Sequence, residues 1–180
     1  MTNAIAAGAT VVAARLFIGV WPTPATRSAL QGVLGQWVWP VGAAVVALER
    51  LHLTLHFLGQ VPLARVDALC AALPAAAAGI APFDLAFDRV ERWPHGLVVL
   101  GTGLPPAPLA QLHVSLTALL RGLALPIDPR PFRPHVTLAR RAAGAVAPPD
   151  MPPLHWPVNH FALVHSERGY HQLQRWPLAA

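Results

Sequence analysis

The chain has 180 residues, of which 54% are apolar, and only 12% are charged; mean hydropathy is +0.46, so intrinsic disorder is excluded. Thirteen Lys+Arg against eight Asp+Glu leave a net charge of +5, and every one of those cations is Arg. That balance favours anionic partners, since Arg suits planar phosphate recognition, although an Arg-rich proteome would produce the same bias.

The single cysteine, Cys70, excludes an internal disulfide framework and Cys-based zinc modules. It sits in the apolar run 68–73 and reads as a small core residue. No uncharged apolar stretch reaches the roughly 18 residues a membrane helix needs, and Met1-Thr2-Asn3 lacks the basic start of a signal peptide. Residues 1–14 read as a loose tail and 15–180 as one domain, expected in the cytoplasm and away from membranes.

In chain order, Arg15 to Val20 is β-rich and stops at Trp21-Pro22. A helix is expected from Pro24 to about Val38, with Thr23 as its N-cap and Pro24 in the first position. Leu51 to Leu58 alternates, with His52, Thr54 and His56 on one face and Leu53, Leu55 and Phe57 on the other. The strand is expected to close at Gly59, and Pro62 to Ala78 reads as a second helix. Phe83 to Trp93 and Leu97 to Leu100 read as strands joined by the turn Trp93-Pro94-His95-Gly96. Leucines at helical spacing predict a third helix over Leu109 to Leu123. His135 to Ala139 reads as a strand, and His155 to Ser166 with Tyr170 to Trp176 as a closing hairpin. The order points to an α+β fold.

Nine histidines are present, and two of them open the same tetrapeptide pattern. His52-Leu53-Thr54-Leu55 and His135-Val136-Thr137-Leu138 each place a hydroxyl two residues after a histidine, on a predicted strand. Strand residues i and i+2 point the same way, about 6.6 Å apart, so imidazole and hydroxyl project together. Two such strands facing each other present two acid–base groups and two hydroxyls to one phosphoryl centre. His113-Val114-Ser115-Leu116 matches as text, but it lies in the predicted third helix. There i and i+2 diverge, so it is expected to take no part. His52 and His56 form H-x-x-x-H, a zinc spacing on a helix but not on an alternating strand. The other five histidines carry no partner pattern.

Three stretches, Arg15 to Ile18, Leu51 to Gly59 and Arg130 to Arg140, resemble the RNA 2′,3′-cyclic phosphodiesterases, formerly called 2′-5′ RNA ligases, of the two-histidine phosphoesterase superfamily. The resemblance runs from about Arg15 to Leu178. It implies a two-lobed, pseudo-twofold α+β fold, with antiparallel sheets backed by helices around a central cleft. It implies His52 as proton donor, His135 as proton acceptor, and Thr54 and Thr137 as phosphate-binding residues. It further implies that Phe17 packs near the bound base and that Arg140 contacts substrate. The expected activity is metal-independent, cofactor-free hydrolysis of RNA 2′,3′-cyclic phosphate ends to 2′-phosphates, by a monomer. The alternatives are a non-catalytic RNA-end or nucleotide-binding module, and a cyclic phosphodiesterase or 2′-5′ ligase acting on other nucleotides. One departure stands out: Val41 to Arg50 is longer and more apolar than the corresponding family loop, which bears on selectivity at the cleft rim.

Overall fold

The computed structural model describes residues 12–179. The expected tail lies outside these residues as far as position 11, but Ala13 and Ala14 belong to the first strand, β1 (Ala13–Val20). Ala14, Leu16, Ile18 and Val20 are buried there, so the apolar period that drives the strand starts one residue before Arg15. The helix α1 (Pro24–Gly35) begins as expected, with the Thr23 hydroxyl accepting from the Thr26 amide at 3.1 Å. It ends three residues earlier than expected. The residues Trp37-Val38-Trp39 ahead of Pro40 favour extended backbone, and Val38 instead bridges to Val146.

Within the long 41–50 segment lie the short strand β2 (Ala44–Val45) and a 3-10 turn, Leu48–Arg50. Strand β3 (Leu53–Pro62) runs past Gly59, which adopts φ +65°, a left-handed value that glycine tolerates without strain. The second helix is broken into a 3-10 turn (Leu63–Arg65), α2 (Val66–Ala72) and a further 3-10 stretch (Leu73–Ala77). Pro74, which lacks an amide hydrogen, ends the α-helical ladder there. Cys70 on α2 is half-buried rather than fully buried.

The run 83–93 is two strands, β4 (Phe83–Phe87) and β5 (Arg89–Trp93), which enter different sheets. A turn in which His95 and Gly96 both have positive φ leads to β6 (Leu97–Gly101). A Cβ on Gly96 would lie 2.9 Å from the Ala142 amide nitrogen, so only glycine fits that approach. Helix α3 (Ala107–Gly122) follows, burying Leu109, Leu112, Leu116 and Leu120 completely. Each such side chain contributes about 1.5–3 kcal/mol on leaving water. The chain closes with β7 (His135–Arg140), β8 (Leu154–Val158), β9 (His160–His165) and β10 (His171–Pro177). Only β9 and β10 form the closing hairpin; β8 turns away at Asn159 to pair with β4.

The fold is α+β with antiparallel sheets. The larger sheet runs β10-β9-β1-β3-β7-β6-β5, with β2 added against β7, and β4-β8 forms a two-stranded sheet. The two halves of the large sheet meet where Leu53 of β3 pairs with Val136 of β7. Leu53 and Val136 are both fully buried, so the junction is anchored in the core.

Candidate active site

The Leu53–Val136 pair is antiparallel, and each of these residues directly follows a histidine. Stepping one residue either way along the register sets His52 opposite Thr137 and Thr54 opposite His135. The two tetrapeptides therefore cross each other about one local twofold, and all four polar side chains line one cavity of about 460 Å³. Phe17 and Arg140 line it too, as do Arg15, Arg50, Phe57 and Tyr170. All six residues singled out from the sequence are thus brought together.

Both imidazoles are oriented in the same way. Nδ1 of His52 lies 2.6 Å from the Arg50 carbonyl oxygen, and Nδ1 of His135 lies 2.7 Å from that of Arg133. A carbonyl only accepts, so each Nδ1 carries the hydrogen and donates it. Each Nε2 is then the nitrogen left to exchange a proton, able to accept one when the ring is neutral and to give one when it is protonated. The His52 Nε2 is 3.0 Å from the Thr54 hydroxyl.

The two rings differ in their surroundings. His52 is boxed by Phe17, Trp21 and Tyr170, with ring centroids at 4.9, 5.0 and 5.0 Å. Trp93 lies against His135 at 4.4 Å, and the Arg133 guanidinium sits over the same indole at 4.7 Å. Burial lowers the pKa of His52, helped by the charges of His135 and Arg140 and opposed by the Arg50 carbonyl. Burial likewise lowers that of His135; the Arg133 carbonyl and the Glu91 carboxylate raise it, while the Arg133 and Arg140 charges lower it. Arg140 therefore disfavours the charged form of both rings, and Arg15 and Arg50 add two more cations to the cavity lining. That space is built to receive negative charge.

The regular alternation expected for 51–58 does not persist. Thr54 pairs with Gly19 and His56 with Ile18, so Leu55 is an extra residue in the ladder, and Leu58 is another. These β-bulges shift the side-chain phase. Phe57, not His56, becomes the next residue in the cavity, where Arg15 covers its ring at 4.9 Å. His56 is buried instead against α3, with Nε2 3.2 Å from both the His113 carbonyl and the Thr117 hydroxyl. The H-x-x-x-H spacing thus does not converge, and no group of three or more metal-binding side chains exists among the described residues.

His113 and Ser115 lie on α3 as expected, outside the cavity of the two motifs. Sequence reasoning missed Trp21, Trp93, Tyr170, Arg15 and Arg50, whose contacts depend on strand pairing and carry no local spacing signal. Phe17 is only 3% exposed, whereas Tyr170 is 38% exposed, so Tyr170 offers the open aromatic surface beside His52.

The family model described as the 2′-5′ RNA ligase superfamily matches residues 41–170. The RNA 2′,3′-cyclic phosphodiesterase of Escherichia coli is 37% identical over 147 residues, spanning 77% of this chain and 82% of its own. That of Thermus thermophilus is 33% identical over 169 residues, spanning 85% and 82%. The crystal structure of E. coli LigT complexed with 3′-AMP is similar in fold, with a TM-score of 0.80 at 30% identity over 94% of this chain and all of that one. The crossed His-x-Thr strands thus stand on a fold and a sequence that agree with one another, and the chain belongs to the 2′-5′ RNA ligase superfamily.

Proposed function

We propose that this protein is a hydrolase that opens RNA 2′,3′-cyclic phosphate ends to 2′-phosphates, with His52 and His135 as its acid and base. The observation that carries this reading is the crossed pair of motifs, each with its Nδ1 tied to a carbonyl and its Nε2 turned to the cavity. In the reaction, neutral His135 takes a proton from water as the water oxygen bonds to phosphorus. The bond from phosphorus to O3′ breaks, and protonated His52 gives its proton to O3′. The Thr54 and Thr137 hydroxyls hold the non-bridging oxygens, and Arg140 balances their charge. Tyr170 offers its exposed ring to the terminal base, and Phe17, buried against that ring, packs near it.

His135 suits the role of base because, among the described residues, its Nε2 has no hydrogen-bond partner, whereas that of His52 is occupied by Thr54. The five-membered cyclic ester is strained, so two positioned histidines suffice without a metal or cofactor. As part of the same reading, residues 15–180 act as one two-lobed domain, working as a cytoplasmic monomer on RNA ends. No helix is long and apolar enough to cross a membrane among the described residues. The names of the E. coli and T. thermophilus relatives support the same substrate.

Product analysis on a cyclic-phosphate oligonucleotide in EDTA tests the reading. A 2′-phosphate product at full rate is expected. Binding without product would instead favour a non-catalytic RNA-end module, and dependence on added zinc would refute the two-histidine mechanism.

A further inference from the structure

A second cavity, of about 700 Å³, opens beside the first and shares Thr54, Phe57 and His135 with it. It is larger than the cavity of the two motifs and is not used by the chemistry above. Its wall carries a continuous stack of flat rings. His56 and His113 lie 4.3 Å apart at 14°, and His113 and Phe132 lie 4.0 Å apart at 8°. Trp93, covered by the Arg133 guanidinium, lines the same cavity. Arg130 and Arg133 line it in exposed ion pairs with Asp128 and Glu91, and Arg92 adds a cation that pairs with no carboxylate among the described residues, so the cationic side is in excess.

Parallel aromatic faces edged by guanidinium groups are the means by which proteins hold unpaired nucleobases and the phosphate between them. Burial keeps His56 and His113 on their neutral side, so the stack presents π faces rather than charge. A cyclic phosphate occupies the 3′ end of its RNA. The nucleotide covalently attached to it is therefore the penultimate one, on the 5′ side. The cavity begins at Thr54 and His135, next to the reacting phosphorus, which is where that neighbour would emerge.

We propose that the second cavity receives the base of the penultimate nucleotide, stacked on Phe132, and that Arg130 meets the linking phosphate. The inference rests on the reading of the first cavity as the cyclic-phosphate site. It makes the enzyme selective for cyclic-phosphate oligonucleotides over cyclic mononucleotides.

The test compares kcat/KM for a cyclic mononucleotide and for a dinucleotide ending in the same cyclic nucleotide. The wild type should prefer the dinucleotide. Phe132→Ala should lower kcat/KM for the dinucleotide by about tenfold and leave the mononucleotide within about twofold, and Phe132→Tyr should restore the preference. Arg130→Gln, on a fully exposed side chain that cannot carry the fold, should cost the dinucleotide roughly threefold and weaken its salt dependence. Equal kcat/KM for both substrates in the wild type, or equal losses on both in Phe132→Ala, would overturn the inference. If the wild type turns over neither substrate, the hydrolase reading fails. Dissociation constants for the mono- and dinucleotide 2′-phosphates then decide the subsite: tighter dinucleotide binding that Phe132→Ala abolishes upholds it, and equal binding refutes it.

Discussion

Leu53 of β3 and Val136 of β7 are antiparallel partners, and this one pairing sets the histidine of each strand across from the threonine of the other. The site is a product of register. A slip of either strand by one residue would turn its histidine to the opposite face of the sheet and its apolar neighbour, Leu53 or Val136, into the cavity. Both apolar residues are fully buried, so such a slip would also expose core.

The pH profile follows from this arrangement. In the proposed scheme the limb that falls at low pH reports His135, which must be neutral, and the limb that falls at high pH reports His52, which must be protonated. Burial lowers both pKa values, so the bell in kcat/KM, which reports the free enzyme, should peak below about 6.5. A bound anionic phosphate favours both imidazoliums, so the kcat profile should lie at higher pH than that of kcat/KM. His52→Ala should remove the limb that falls at high pH and His135→Ala the limb that falls at low pH, each costing on the order of 10²-fold or more. A flat wild-type profile from pH 5 to 9 would contradict the scheme.

Thr54→Ala and Thr137→Ala should each lose a charge-assisted hydrogen bond to the phosphoryl oxygens, worth about 1.5–3 kcal/mol. Thr54→Ala also frees the His52 Nε2. Its alkaline limb should therefore shift, whereas Thr137→Ala should lower the rate without moving the limbs. Ser115→Ala, on α3 and outside the cavity, should leave turnover at the wild-type level.

Gly19 should be intolerant of any side chain. It pairs with Thr54, and a Cβ there would lie 2.8 Å from the Leu53 carbonyl oxygen, which is backbone and cannot swing aside. Gly19→Ala should force β1 and β3 apart, destabilising the fold by about 1–3 kcal/mol. Because Leu53 lies between His52 and Thr54, kcat should fall as well. Urea denaturation and turnover of the same sample measure both.

Stability should decline in acid partly through α3. Burial, with the nearby His56, lowers the His113 pKa to about 4. The unfolded chain binds that proton near pH 6.5, so this contribution is complete above 6.5 and is lost as pH falls toward 4. A fully buried ring with this shift would contribute about 3 kcal/mol; because the ring is only partly buried and screened by water, about 1 kcal/mol is expected. His56, lowered chiefly by burial, acts with the same sign. His113→Leu should flatten the dependence of Tm on pH between 6.5 and 4, and an unchanged slope would show that His113 does not titrate with folding.

The two His-x-Thr tetrapeptides, the starts of the first and third helices and most of the strands were legible in the sequence because each rests on local periodicity or on a fixed i, i+2 spacing. Thr23 as an N-cap, the leucine stripe of α3 and the exclusion of His113 from the motif cavity follow from the same local rules. Other features belong to pairing between distant strands, which no local pattern encodes. The bulges at Leu55 and Leu58 exist only because β3 is fitted against β1, and they decide that Phe57 enters the cavity while His56 packs on α3. The divergence of β4 from β5 depends on which sheet offers each strand a partner. The aromatic box of Trp21 and Tyr170 around His52, and Trp93 against His135, join residues up to 118 positions apart. The chemistry of the site was therefore written in two short segments, whereas its burial, its acidity and its second cavity were decided by the tertiary packing that closes around them.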